Sequence, residues 1–138
     1  MEHKSERNSY FTTVPSTLDA VNNASAEIYS FVAKRSGNEL AFKVGLVVIE
    51  VCTNIVKYGY NKSPEGKIWI KVKKNNGSYT ISIEDETSPF NPLKYDNIDF
   101  DKKVDYEHGG MGILLIKSLS KEKNYCYKEG RNRLTITI

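Results

Sequence analysis

Residues 39–59 read ELAFKVGLVVIEVCTNIVKYG, and the reading of this stretch decides the fold. It is long enough for more than five helical turns, and Gly59 supplies a C-terminal stop. Val44, Val48, Val51 and Ile55 recur at helical spacing and form one apolar stripe, while Leu46, Ile49 and Val56 take up much of the opposite side. The spacing therefore predicts a largely buried helix from Glu39 to about Tyr58, capped by Asn38. Lys43, Glu50, Asn54 and Lys57 fall together on one narrow polar strip. A buried helix does not place a carboxylate and a carboxamide one turn apart without partners for them. A solvated strip in which Glu50 pairs with Lys43 or Lys57 gives the same pattern, so the helix alone leaves both readings open.

Working outward from this helix, Ser16 or Thr17 is placed to cap an earlier helix that runs to about Ser36 and stops at Gly37. Before it, Tyr10 to Val14 reads as a short strand closed by Pro15. Lys67 to Lys73 alternates Ile68, Ile70 and Val72 with polar residues, and Asn76-Gly77 turns it into a strand from Tyr79 to Glu84. Residues 88–108 are rich in Pro, Asn, Asp and Lys without periodicity, as in functional loops and lids. Gly109-Gly110-Met111-Gly112 then opens a helix over Ile113 to Leu119. Asn124 to Lys128 and Arg133 to Ile138 close the chain as two strands around Gly130. The order is βααββ, loop, αββ, which predicts an α+β two-layer sandwich: a mixed, mainly antiparallel sheet with helices on one face.

The 138 residues suit a single domain over 1–138. Twenty basic and seventeen acidic residues leave a formal net charge of +3, too weak a field to argue for direct nucleic-acid binding. Lys71, Lys73 and Lys74 read as a solvated hairpin with a lysine-protected edge. Cys52 and Cys126 sit in separate apolar segments and read as reduced thiols. No leader-like or membrane-spanning stretch is present in this sequence, so a cytoplasmic protein without membrane contact is expected.

Two further features carry chemistry. Tyr79, Ile81, Ile83 and Asp85 share one strand face by the period of two, so Asp85 points where its apolar neighbours point. There it can accept a hydrogen bond from a ligand amino group, or it can open the turn before Ser88-Pro89. The glycines at 109, 110 and 112 permit close approach of backbone N–H groups to phosphate at a helix start, and they also suit a mechanical hinge. With no Lys in P-loop position and no strand directly before them, a Walker or dinucleotide site is not expected.

In combination and in order, Glu50-x-x-x-Asn54, Asp85 before Pro89-Phe90, and Gly109-Gly110-x-Gly112 resemble the GHKL (histidine-kinase-like) ATPase superfamily. The stretch from Gly109 to Ile116, with Tyr125-Cys126-Tyr127 and Asn132-Arg133-Leu134-Thr135, is similar to the anti-sigma regulatory serine/threonine kinases of the RsbW type within it. The resemblance spans roughly Tyr10 to Ile138. It implies that Asn54 ligates Mg²⁺, that Glu50 is the general base, and that Asp85 binds the adenine amino group with Thr135 assisting through water. It further implies that Gly109, Gly110 and Gly112 cradle the phosphates of ATP and that residues 91–108 close as a lid. Thr87 falls beside the base, where the family carries Gly, so its side chain is expected to crowd the nucleotide. Tyr58 stands where the family often has His, and the acidic residue common near Ser120-Lys121 is absent.

The activity so implied is phosphorylation of a STAS-type anti-sigma-factor antagonist, with sequestration of a sigma factor by a homodimer. The alternative is a nucleotide-dependent partner-switching module of the same fold with little or no catalysis. A nucleic-acid-binding α+β domain rests on the lysines alone.

Overall fold

The computed structural model describes residues 2–5, 7–94 and 110–138. The first helix, α1 (Leu18–Ser36), starts because the Thr17 hydroxyl accepts a hydrogen bond from the Ala20 N–H at 3.2 Å, with Asp19 in the positive first turn. It stops at Gly37, whose φ of +88° suits a residue without Cβ, and whose N–H reaches the Ala33 carbonyl at 3.0 Å. The same glycine precedes α2 (Asn38–Asn54), so Asn38, expected as the cap, is instead the first helical residue.

Beyond Asn54 the backbone widens into a π-helical turn, Ile55–Gly59, closed by the Tyr60 N–H on the Ile55 carbonyl at 2.8 Å. One continuous helix to Tyr58 was expected. Such widened turns accumulate at functional sites because they re-aim the side chains of one helical face.

Six strands form a single sheet: β1 (Glu2–Ser5), β2 (Ser9–Pro15), β3 (Lys67–Asn75), β4 (Ser78–Asp85), β5 (Glu122–Lys128) and β6 (Arg131–Thr137). Their spatial order is β1-β2-β3-β4-β6-β5. Every described pairing is antiparallel, so the sheet is not mixed as expected. The reason is topological. β2 and β3 are joined through α1 and α2 and pair as antiparallel neighbours. The last helix, α3 (Gly110–Leu119), carries the chain to β5, but β6 then inserts between β4 and β5.

β1 was not expected, because an edge strand held by backbone hydrogen bonds needs no apolar alternation. β3 lies between β2 and β4, so Lys71 and Lys73 line the solvent face of an inner strand rather than protecting an edge, while Lys74 falls on the face of Ile70 and Val72.

Alternation is strict where the sheet meets the helices. Ile68, Ile70 and Val72 of β3, Tyr79, Ile81 and Ile83 of β4, and Leu134 and Ile136 of β6 are buried against Val21, Ile28 and Val32 of α1 and Val44, Val47, Val48 and Val51 of α2. Burial of a side chain of this size stabilises the fold by roughly 1.5–3 kcal/mol relative to exposure. Among the described residues no helix is long and apolar enough to cross a membrane.

Candidate functional site

A cavity of about 390 Å³ opens between the π turn after α2, the ends of β4 and β6, and the segment that leaves β4. Val51, Ile55, Ile83, Ile116 and Leu134 give it apolar walls, with Asn54, Asp85, Thr87 and Asn132 as polar groups. Apolar walls with a few convergent polar groups are the usual make-up of a small-molecule site.

Asp85 is buried, 5% exposed, on the helix-facing side of β4, where period two places it. Its Oδ1 accepts three hydrogen bonds: from the Thr87 N–H at 3.0 Å, the Thr87 hydroxyl at 2.5 Å and the Asn132 amide at 3.0 Å. Oδ2 has no hydrogen-bond donor among the described residues. Asp85 thus opens the turn at Thr87 with Oδ1, while Oδ2 accepts from no described residue.

Glu50 and Asn54 lie one turn apart near the C-terminal end of α2, both partly buried. Neither side chain makes a hydrogen bond or ion pair with another described residue. Lys43 pairs instead with Glu39, at 3.8 Å, so the solvated ion-pair explanation of the strip does not apply to Glu50. Gly112 of α3 lies directly against both side chains. A Cβ built on it would stand 3.1 Å from Asn54 Nδ2 and 3.3 Å from Glu50 Oε2. Gly110 is the first residue of α3, whereas Gly109 and the greater part of the expected lid lie outside the described residues.

One expectation needs correction, on β6. Thr87 lines the cavity. Its hydroxyl is turned onto Asp85, and its methyl packs against Gly59, where an added Cβ would come within 2.9 Å of it. Thr135 does not reach the cavity. On β6, Asn132, Leu134 and Ile136 are buried toward the helices, and Thr135 lies on the opposite face with Arg133 and Thr137.

The polar residue that β6 does contribute is Asn132, 5% exposed. It was legible by the alternation that marked Asp85, as a polar side chain on an apolar strand face. Tyr125 of β5 donates its hydroxyl to Asn132 Oδ1, and burial is the chief cause that raises this phenol's pKa above its ordinary value. Cys52 of α2 is fully buried; burial first, and the Asp85 charge second, hold its thiol well above the ordinary range.

The donor set bears on metal binding. Among the described residues no group of three or more His, Cys, Asp or Glu side chains could hold a metal ion. Asn54 with Glu50 beside it suits a hard cation that arrives with oxygen ligands of its own, as Mg²⁺ does on a polyphosphate.

An antiparallel sheet covered on one face by helices, with a cavity at its end, defines an α+β two-layer sandwich. The chain belongs to the histidine kinase-like ATPase domain family, whose model matches residues 14–138. It is 29% identical over 86 residues to an anti-sigma F factor of Geobacillus thermodenitrificans, a match covering 58% of this chain and 56% of that protein. The chain thus spans a little over half the length of this curated relative. It also superposes on part of a structure of the RsbU and RsbW domains of Rv1364c from Mycobacterium tuberculosis, with a TM-score of 0.63 at 14% identity over 97% of this chain and 33% of that one. The Acinetobacter baumannii histidine kinase AdeS superposes with a TM-score of 0.52 at 15% identity, over 93% of this chain and 66% of its own.

Proposed function

We propose that the chain binds Mg²⁺-ATP in this cavity and acts as an anti-sigma regulatory serine/threonine kinase. Its substrate would be a STAS-type anti-sigma-factor antagonist, and as a cytoplasmic homodimer it would hold a sigma factor inactive. The observation that carries the reading is Asp85, with one carboxylate oxygen bound internally and the other free beside an apolar cavity. Asn54 lines the same cavity, and Gly112 of α3 lies against both Asn54 and Glu50, neither of which is paired among the described residues. The likeness to an anti-sigma F factor supports the partner class.

In this reading ATP supplies the phosphoryl group, and the protein supplies position and charge. Asp85 accepts from the adenine amino group while the apolar walls exclude water from the base. Asn54 would hold Mg²⁺ through its amide oxygen. Gly110 and Gly112, with Gly109 before them, let phosphate oxygens approach the first N–H groups of α3. Glu50 takes the proton of the attacking serine or threonine hydroxyl. Phosphoryl transfer rests mainly on positioning and charge neutralisation, so this small set suffices.

Titration with Mg²⁺-ATP under thermal unfolding tests the site. A melting temperature that rises with concentration is expected, since a ligand that binds only the folded state stabilises it. A flat response overturns the reading. Radiolabel transfer to a STAS-type protein then tests the kinase. The second reading, a partner-switching module without transfer, is favoured by Thr87, whose side chain lines the cavity where the family carries Gly. ATP binding without transfer would select it.

A further inference from the structure

The Asn132 side chain is saturated. Its Nδ2 lies 3.0 Å from Asp85 Oδ1 and 3.1 Å from each of the Thr87 hydroxyl, the Thr87 carbonyl and the Ser88 carbonyl. Its Oδ1 accepts from the Phe90 N–H at 2.9 Å and from the Tyr125 hydroxyl. An amide carries two N–H protons and two carbonyl lone pairs, and every one has a use here. The orientation is therefore determined. Exchanging O and N would set the carbonyl against a carboxylate and two backbone carbonyls, and the amino group against the Phe90 N–H.

The consequence falls on Asp85. Asn132 and Thr87 together direct three donors onto Oδ1 and none onto Oδ2. The carboxylate cannot rotate about its last bond without breaking all three. We infer that Asn132, aided by Thr87, is the positioning residue that makes this cavity selective for a 6-aminopurine nucleotide over a 6-oxopurine one. It does so by fixing Asp85 with Oδ2 as the sole oxygen left to a ligand. A fixed lone acceptor matches an exocyclic amino group and opposes a carbonyl oxygen at the same place. A carboxylate free to turn could draw a water between itself and a carbonyl and lose the distinction. The inference rests on the adenine-nucleotide reading above and goes beyond it in naming what sets the base preference.

Asn132→Asp separates the two sides of the amide. It keeps an acceptor for Phe90 and Tyr125 but replaces the donor to Asp85 with a second carboxylate oxygen. Thr87→Ala removes the other side-chain donor to Oδ1, and with it one of the four acceptors around Asn132 Nδ2, while Asn132 keeps its bond to Asp85. Tyr125→Phe removes a bond to Asn132 Oδ1 and leaves the donors to Asp85 in place. ATP and GTP are titrated by calorimetry, with Mg²⁺, against the full chain and the three variants.

The wild type is expected to prefer ATP, Asn132→Asp to lose about tenfold or more of that preference, and Thr87→Ala to lose part of it, a factor of ten corresponding to one lost hydrogen bond. Tyr125→Phe is expected to keep the preference even if its melting temperature falls, which separates positioning from general stability. Should Asn132→Asp not fold, Thr87→Ala carries the test. An undiminished ATP-to-GTP ratio in every folded donor variant, or a wild type that binds both equally, overturns the inference while the nucleotide site stands. A wild type that binds neither overturns the site itself.

Discussion

Gly112 sits so close to Asn54 that a single methyl group on it would stand 3.1 Å from the Asn54 amide nitrogen. The same methyl would be 3.3 Å from Glu50 Oε2, so the space between α2 and α3 is set by the absence of a side chain. Gly112→Ala is expected to fold, because alanine favours the helix, by about 1 kcal/mol over glycine. The displaced Asn54 and Glu50 should lower Mg²⁺-ATP affinity by about tenfold, measured by calorimetry beside urea unfolding. Unchanged affinity in a stable Gly112→Ala would show that this contact has no part in the site.

Glu50 and Asn54 share one strip yet have different proposed roles. Asn54→Ala should weaken Mg²⁺-ATP binding and abolish transfer together, because the metal loses its protein ligand. Glu50→Gln should retain ATP and lose turnover by roughly 10²–10⁴-fold, the range for removal of a general base. Binding by calorimetry and radiolabel transfer to serine are the two readouts. Full transfer by Glu50→Gln would leave the kinase standing but assign its base elsewhere.

Asp85→Asn keeps the shape of the side chain and can keep an oxygen toward Thr87 and Asn132, which places an amino group where Oδ2 was. Adenine nucleotide binding should weaken by on the order of 1.5–3 kcal/mol, the range for a hydrogen bond to a charged group. Equal ATP affinity in both proteins would remove Asp85 from the base site.

Alkaline pH should destabilise the fold. Burial is the chief cause that raises the Tyr10, Tyr60 and Tyr125 phenols above their ordinary 10.0 and the Cys52 thiol above 9.0. Each raised pKa means that the folded state holds its proton more tightly than the unfolded chain does. The stability so gained is complete below those ordinary values and is lost as pH climbs past them. Urea midpoints should therefore hold steady up to about pH 8.5 and fall above about pH 9–10. At neutral pH Cys52 should react with iodoacetamide only on unfolding. Rapid labelling of Cys52 in the folded protein would contradict its burial.

The alternation in β3 and β4 made the hairpin and its buried face legible, since a strand's period of two is a local property. It also put Asp85 on the core side of the sheet before any contact was known. The same rule applied to β6 would have selected Asn132. Thr135 was drawn from the likeness to the kinase family instead, and it lies on the other face. β1 left no mark because edge pairing uses backbone groups, which every residue has. The π turn left none either, since a residue sequence that continues the apolar pattern to Tyr58 does not state where the hydrogen-bond ladder widens.

What the sequence by itself determined is the main helices and strands, β1 and the π turn excepted, and the side of each on which its polar exceptions stand: Glu50 and Asn54 on α2, Asp85 on β4. Both follow from periodicity within one element, where spacing along the chain is spacing in space. What only the tertiary structure decided is which exceptions meet. Asn132 is 47 residues from Asp85, yet it arrives 3.0 Å away because β6 inserts beside β4 in antiparallel register. The Thr87 hydroxyl faces Asp85 because the turn after β4 folds back toward Gly59. Such contacts depend on strand order and on the packing of one element against another, and no local pattern records either.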